Sequence, residues 1–190
     1  LAWYSERRGF WAMNPGYDRP DHEDFRKRIR YDCFFCHNAY PNVGDEATFY
    51  SDPIYPRDLP EGIDCQRCHG PGREHVRAAR AAEDVSRIRA LILNPAKLPD
   101  AQKDDVCYQC HLQSTSRALP HAVVRFGRGI FSSRPGEPLG DYAIHFRPAD
   151  ESNDRFEIAH SAYRLRQSPC FAAGIRCTGC HDPHAAGDGT

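Results

Sequence analysis

The pentapeptide Cys65-Gln66-Arg67-Cys68-His69 is one of four copies of the pattern Cys-x-x-Cys-His in this chain of 190 residues. The four copies contain eight of the nine cysteines in the chain and four of its ten histidines. The other copies are Cys33-Phe-Phe-Cys36-His37, Cys107-Tyr-Gln-Cys110-His111 and Cys177-Thr-Gly-Cys180-His181. In chain order they are called motifs 1 to 4, and the pentapeptide at Cys65 is motif 2.

This pattern is typical of the covalent attachment of c-type haem. Two thiols three positions apart can each form a thioether to one vinyl group of the same porphyrin. The histidine that follows then lies beneath the ring, where its imidazole can bind the iron. The four motifs therefore predict four haem c groups, each held by two motif cysteines, with proximal iron ligands His37, His69, His111 and His181.

A single Cys-x-x-Cys pair has other interpretations. It can be half of a structural zinc site, a redox-active dithiol, or a source of disulfides in an oxidising compartment. None of these requires a histidine directly after the second cysteine, and all four motifs have one. The histidines therefore favour haem attachment over the three alternatives.

The composition agrees with a fold organised by cofactors. Leu, Ile, Val and Phe account for only 34 of the 190 residues, which is little for a chain that builds its core from side chains alone. Four porphyrins would supply apolar surface that the chain lacks. We expect one domain over residues 1–190, mainly α-helical with much irregular structure and little β, in a multihaem cytochrome c fold. The net charge of −1 gives no signal for nucleic-acid binding.

Each haem iron has a second axial position, and six histidines outside the motifs are candidates for it. They are His22, His75, His121, His145, His160 and His184. Their positions favour His75, which follows motif 2 after a Gly-Pro-Gly turn, and His184, which lies three residues after motif 4. Met13 is the only methionine, and methionine ligation raises the haem potential. Low-potential haems with two histidine ligands are therefore expected to predominate.

The segments between the motifs predict several local elements. Apolar spacing predicts a helix over residues 74–93, and further helices are expected over residues 21–31 and 155–166. Asp100 is the predicted N-cap of a helix that carries motif 3, and a hairpin is predicted between residues 123–126 and 130–132.

Three further regions have no motif of their own. Residues 1–20 form an aromatic N-terminal arm, and residues 112–176 form an insertion that either packs as a lid or shapes a substrate pocket. Residues 133–138 are expected to be a turn-rich loop. Cys170, the ninth cysteine, is a buried thiol, half of a disulfide to another chain, or an incidental residue.

Longer stretches around the motifs carry a resemblance to a known family. They are Gly62-Ile-Asp-Cys-Gln-Arg-Cys-His-Gly-Pro-Gly-Arg-Glu-His75, Gly136-Glu-Pro-Leu139, Ala162-Tyr-Arg-Leu-Arg166 and Cys177-Thr-Gly-Cys-His-Asp-Pro-His184. In these stretches the chain resembles multihaem c-type cytochromes of the tetratricopeptide-repeat-associated type. More distantly, that family is similar to the tetrahaem cytochrome that accepts electrons from hydroxylamine oxidoreductase. The resemblance implies electron transfer and names no partner.

The family also differs from this sequence in its usual organisation. Its members usually carry a further haem motif upstream and a helical repeat region downstream, and residues 1–190 contain neither. The chain is therefore expected to be a fragment of a longer protein or a compact relative with a different role.

Three classes of function are compatible with four haems. The expected one is an electron carrier or conduit, not an enzyme, that exchanges electrons with redox partner proteins. One alternative is a subunit of a conducting extracellular filament, a homopolymer in which copies join head to tail. Another is a multihaem redox enzyme acting on a small nitrogen oxide or hydroxylamine, which needs an open iron position beside an acid or base.

The attachment chemistry also predicts where the protein works. Haem c is attached outside the cytoplasmic membrane, so a periplasmic or extracellular protein is expected. No apolar run is long enough to span a bilayer. The start at Leu1 is what removal of a secretory signal would leave.

The motif count gives a direct prediction. The intact mass of the mature chain should exceed the polypeptide mass by four covalently held haems. Cys68→Ala and Cys110→Ala should each remove one attachment and destabilise the protein, because neighbouring haems would share one core. Bound zinc without haem absorbance would contradict the interpretation of all four motifs.

Overall fold

A computed structural model of the chain describes residues 2–4, 9–13, 17–22, 29–43, 54–112, 122–146 and 161–185. The described residues are mainly helical, with two small antiparallel sheets of two strands each, as the sequence predicts. The helices are short, and they are α1 (Tyr31–His37), α2 (Gln66–His69), α3 (Arg73–Arg80), α4 (Val85–Ala90), α5 (Asp100–His111), α6 (Leu139–Tyr142), α7 (Ser161–Arg166) and α8 (Pro169–Ala172). The strands are β1 (Ala2–Tyr4), β2 (Phe10–Ala12), β3 (Ala122–Val124) and β4 (Ala143–His145).

The chain divides into two compact units. One contains Leu1–Ile29 and Thr178–Thr190, and the other contains Arg30–Cys177. The first unit holds the β1–β2 pair, in which Trp3 is opposite Trp11. The second unit holds the helices α1 to α8 and the β3–β4 pair. In the part of the chain that the structure describes, no helix has the length and apolar character needed to cross a membrane.

The main core of the second unit joins motif 1 to the predicted insertion. Phe35 of α1 is 4% exposed, and its ring is stacked on Tyr142 of α6 at 5.4 Å with an interplanar angle of 11°. Residues from α5, α6, β4 and α7 complete this cluster: Tyr108, Leu139, Ala143 and Ala162. Part of the 112–176 insertion is therefore used to build the core.

One hydrogen bond from a backbone amide to a side chain and one ion pair hold other segments against α5. The carboxylate of Asp105 accepts from the Leu139 amide at 2.8 Å, which fixes the start of α6. The buried carboxylate of Asp104 pairs with Arg176 at 3.4 Å, just before motif 4. These contacts place the helix of motif 3 at the centre of the second unit.

The helix predicted over residues 74–93 is wrong, because two helices occupy this segment. Helix α3 ends in a Schellman motif, in which the Glu83 amide donates to Ala78 O and the Ala82 amide donates to Ala79 O, both at 3.1 Å. Ala82 has a φ of +52°, the left-handed conformation that this motif requires. Asp84 then accepts from the Ser86 amide at 2.9 Å and starts α4 as its N-cap.

The predicted hairpin between residues 123–126 and 130–132 is also wrong. Strand β3 pairs with β4, and Val123 is opposite Ile144. Residues 130–132 are not in a strand, because Ile130 and Phe131 turn into apolar clusters and Ile130 O accepts a hydrogen bond from the Tyr142 hydroxyl. Core packing and this side-chain bond replace the strand pairing that the local sequence predicted.

Three other helix predictions are corrected or confirmed in part. In the described parts of the predicted 21–31 helix, residues 21–22 and 29–30 are not helical, and Tyr31 is the first residue of α1, which begins after the extended Arg30. Pro99 rather than Asp100 occupies the N-cap of α5, and Asp100 instead pairs with Lys103 at 3.1 Å. The 155–166 helix is present as α7, and residues 155–160 lie outside the described residues.

The conformation of Ala82 predicts an unusual effect of glycine. Ala82→Gly should raise the free energy of unfolding by about 1 kcal/mol, because an L side chain in the left-handed region costs about that much. Ala79→Gly is the matched control inside α3, and it should lower the free energy of unfolding by about 1 kcal/mol. Chemical denaturation of the three proteins measures both effects. A loss of stability in Ala82→Gly would contradict the Schellman ending.

Candidate cofactor-attachment site

The four motifs all lie on helical turns. Motif 1 is inside α1, motif 2 includes α2, motif 3 is the last turn of α5, and motif 4 begins with the 3₁₀ turn Cys177–Gly179. Positions i and i+3 of a helix share one face. Each of the three α-helical motifs therefore presents both thiols on one side of its helix, as attachment to one porphyrin requires.

The motif histidine that is best fixed is His69. Its Nδ1 lies 2.8 Å from the carbonyl oxygen of Leu93, and the Leu93 amide donates to His69 O at 3.2 Å. A carbonyl oxygen only accepts hydrogen bonds, so Nδ1 carries the proton and the neutral ring has its lone pair on Nε2. This is the arrangement by which proteins orient a metal-binding histidine.

His75 has the same arrangement. Its ring is half-buried, and Nδ1 lies 2.9 Å from the carbonyl oxygen of Ile88 in α4. The lone pair of the neutral ring is again on Nε2. His69 and His75 are thus both oriented by backbone carbonyls of one short segment, residues 88–93, although they lie in different helices.

The other predicted ligands differ in their exposure and surroundings. His37, His111 and His181 are exposed. His184 is exposed, and its amide donates to the Asp182 carboxylate at 2.9 Å. His22 lies against the Tyr17 ring at 5.8 Å, His145 is half-buried on β4, and His121 and His160 lie outside the described residues.

No group of three or more His, Cys, Asp and Glu side chains among the described residues has a geometry that would hold a metal ion. A haem iron differs from a zinc ion in this respect, because the porphyrin supplies four of its ligands. The protein needs only one or two axial groups, as the Nε2 atoms of His69 and His75 would provide.

Cysteines from different motifs meet at the edge of the core. The Cys36 thiol of motif 1 donates a hydrogen bond to Cys110 of motif 3. This bond raises the pKa of Cys36 and lowers the pKa of Cys110, and the positive charge of Arg67 favours the Cys110 thiolate further. Burial raises the pKa of Cys68 in motif 2, with a smaller contribution from Cys110.

A second pair joins motif 3 to motif 4. Burial, followed by the neighbouring Cys177, raises the pKa of Cys107 to about 12. Burial also raises the pKa of Cys177, and this is partly offset by a hydrogen bond from Cys107. Attachment cysteines of three motifs therefore lie in two adjacent pairs, Cys36 with Cys110 and Cys107 with Cys177.

Arg67 is the residue that the motif search did not single out. It lies between the two cysteines of motif 2, yet it is only 1% exposed. Its guanidinium lies over the rings of Phe35 at 4.6 Å and Tyr40 at 4.5 Å. A charged residue inside the motif was visible in the sequence, but its burial depends on Phe35 and Tyr40, which are 32 and 27 positions away.

The remaining predictions about side chains have clear outcomes for the described residues. Cys170 is exposed on α8, so the buried-thiol interpretation is wrong. A cavity of about 10 Å³ lies between α5 and the 133–139 loop, with Asp105, Gln109 and Arg134 in its wall. This volume holds about one water molecule, so the cavity is too small for the substrate pocket considered for the insertion.

Comparison of the chain with protein-family models, curated proteins and solved structures found no match.

The Cys36–Cys110–Arg67 contacts predict the reactivity of the thiols before haem attachment. In the reduced, haem-free chain, Cys110 should be alkylated at a lower pH than an ordinary cysteine. Arg67→Gln and Cys36→Ala should each move that reaction to higher pH, because each change removes a group that stabilises the thiolate. Peptide mapping after brief alkylation measures the effect, with the exposed Cys170 as internal reference. An unchanged profile for Cys110 in Arg67→Gln would contradict the assigned contact.

Proposed function

We propose that the chain transfers electrons by means of four covalently attached c-type haems, as a periplasmic or extracellular carrier or conduit. When bound, each haem supplies a one-electron redox centre. The eight motif cysteines anchor these groups, and the four motif histidines are the proximal ligands. The observation that supports this proposal is the packing of Cys36, Cys107 and Cys177, from motifs 1, 3 and 4, against one core cluster. Hydrogen bonds also pair Cys36 with Cys110 and Cys107 with Cys177.

This convergence supports electron transfer in particular. Cofactors anchored through Cys36 and Cys110, or through Cys107 and Cys177, would be neighbours, because a hydrogen bond joins the two cysteines of each pair. Electron transfer along a chain of cofactors requires such neighbours. A single cofactor used for catalysis does not require them.

The axial ligands proposed here follow from ring orientation. The Nδ1 bonds of His69 and His75 leave Nε2 as the iron-binding atom in both rings. Two neutral imidazoles on one iron favour a low-spin, low-potential haem. We assign His75 as a distal ligand on this basis. His184 remains a candidate on its position after motif 4 alone.

A filament subunit is the second candidate function. The β1–β2 pair carries Phe10 and Trp11, which are 51% and 64% exposed. Exposed aromatic side chains are typical of contact surfaces between proteins. Native size measurement separates the two candidates, because a carrier would be monodisperse. Deletion of residues 1–12 should abolish large assemblies if this aromatic pair joins successive copies.

The assignment of His75 can be tested with a neighbour in the same helix. His75→Ala should convert one haem from low-spin to high-spin and allow it to bind CO, because that iron loses its sixth ligand. Val76→Ala is the matched control in α3 and should leave all haems low-spin, since Val76 is 44% exposed. Optical spectra with and without CO measure the change.

The result also separates the ligand assignment from the proposed function. Four low-spin haems in His75→Ala would overturn the assignment and leave the other five histidines as candidates. His184→Ala tests the second preferred ligand in the same way. A wild-type chain without covalent haem would overturn the proposed function itself.

A further inference from the structure

Arg67 is a buried cation whose hydrogen bonds are incomplete. Its side chain is 1% exposed, and of its three nitrogens only Nη2 has hydrogen-bonding partners, the carbonyl oxygen of Phe35 and Cys110 Sγ. Nε and Nη1 are buried without any partner. Three of the five N–H groups of this guanidinium are therefore unsatisfied. Among the described residues, no carboxylate forms an ion pair with Arg67.

Such a residue needs an anion. Burial of an unpaired charge costs several kcal/mol, and a guanidinium cannot become neutral in a protein. Phe35 and Tyr40 cover the faces of the guanidinium with their rings. Contact with aromatic rings compensates only part of this cost. An anion can therefore reach the guanidinium only through the N–H groups in its plane, and a carboxylate matches the geometry of these groups.

Cys110 Sγ, which could carry a negative charge, lies 4.0 Å from Nη2, and the thiols of Cys36 and Cys68 also feel the charge of Arg67. Haem attachment would convert all three sulfurs into thioethers, which carry no charge. The mature protein would then lack these thiolates as counter-ions for Arg67. The anion must therefore arrive with the group that removes the thiolate.

We propose that Arg67 binds a propionate carboxylate of a haem attached at motif 1 or motif 3. This inference rests on the proposed function. Residue 67 is two positions after Cys65 and one before Cys68, so its side chain leaves α2 away from the face that carries both cysteines. The haem of its own motif is thereby disfavoured. Arg67 instead contacts Phe35 of motif 1 and Cys110 of motif 3.

Several other charged and titratable groups surround Arg67, and we expect the propionate to be the one that titrates between about pH 5 and pH 8. They are Cys36, Cys68 and Cys110, which become thioethers, together with Tyr40, Tyr142 and Arg134. Burial raises the pKa of Tyr142 well above neutral pH. Arg134 lies 4.7 Å from the Tyr40 ring.

The test uses the mature, haem-bearing chain and spectroelectrochemical titration between about pH 5 and pH 8. In the wild type, Arg67 keeps the propionate ionised, so the potential of the haem beside it should be nearly independent of pH. In Arg67→Gln, the oxidised form of that haem should be favoured about tenfold more at about pH 8. This factor corresponds to a potential about 59 mV lower for one electron.

The pH dependence distinguishes this role from packing alone. Without the guanidinium, the carboxyl pKa rises into the titrated range, so the potential should fall as pH increases. Arg67→Lys should restore most of the wild-type potential, because it keeps the charge. Arg80→Gln is the matched control, since Arg80 is an exposed arginine at the end of α3. It should change no potential.

Two further variants identify the source of the carboxylate. Alanine at both Cys33 and Cys36 removes the haem of motif 1, and alanine at both Cys107 and Cys110 removes that of motif 3. The effect of Arg67→Gln should disappear in the one background that lacks the partner haem. Persistence of the effect in both backgrounds would overturn the proposal.

Haem counts by intact mass keep the two proposals separate. Four haems in wild type and in Arg67→Gln, with equal potentials and equal pH dependence, would overturn the Arg67 inference alone. If Arg67→Gln loses a haem, Arg67→Lys should restore four, and failure to restore them would show a role in packing and overturn the inference. Absence of haem in the wild type would overturn the proposed function.

Discussion

The contact between Phe35 and its neighbours is the interaction on which the second unit depends. The ring is stacked on Tyr142, which joins motif 1 to α6, while the guanidinium of Arg67 lies over Phe35 and its Nη2 donates to the Phe35 carbonyl. Phe131 stacks on Phe35 at 6.4 Å. Removal of this one ring would weaken the packing of motif 1, motif 2 and the insertion together, since all three meet there.

The residues between the motif cysteines have a second use. In each of the first three motifs one of these two residues is buried, namely Phe35, Arg67 and Tyr108. The corresponding residues of motif 4, Thr178 and Gly179, are small and exposed. The geometry of a helical turn explains how one motif can serve both uses, because the two cysteines share one face and the residues between them lie on other faces. The same five residues can therefore anchor a cofactor and help to build the protein core.

The local parts of this structure were readable from the sequence, and the non-local parts were not. Helix α5, the end of α7 and the 133–138 loop depend on nearby residues, and the sequence predicted them. The pairing of Val123 with Ile144 depends on where Tyr142 is buried. The nearby glycines, Gly127 and Gly129, instead indicated a local hairpin and hence the wrong partner for β3. The left-handed Ala82 has no sequence signal, since glycine usually occupies that position. Cysteine spacing predicted the candidate attachment residues, whereas the buried environment of Arg67 required the folded chain.

The imidazoles of His69 and His75 both hydrogen-bond to backbone carbonyls of one short segment, which includes part of α4. Ile88 belongs to α4 and Leu93 follows shortly after it, so local unfolding of this segment would break both Nδ1 hydrogen bonds in one event. A six-residue helix with no buried residue, held at its start by the Asp84 cap, belongs to the low-stability end of a protein. The opening rate of this segment therefore limits how long the two Nδ1 hydrogen bonds exist at the same time.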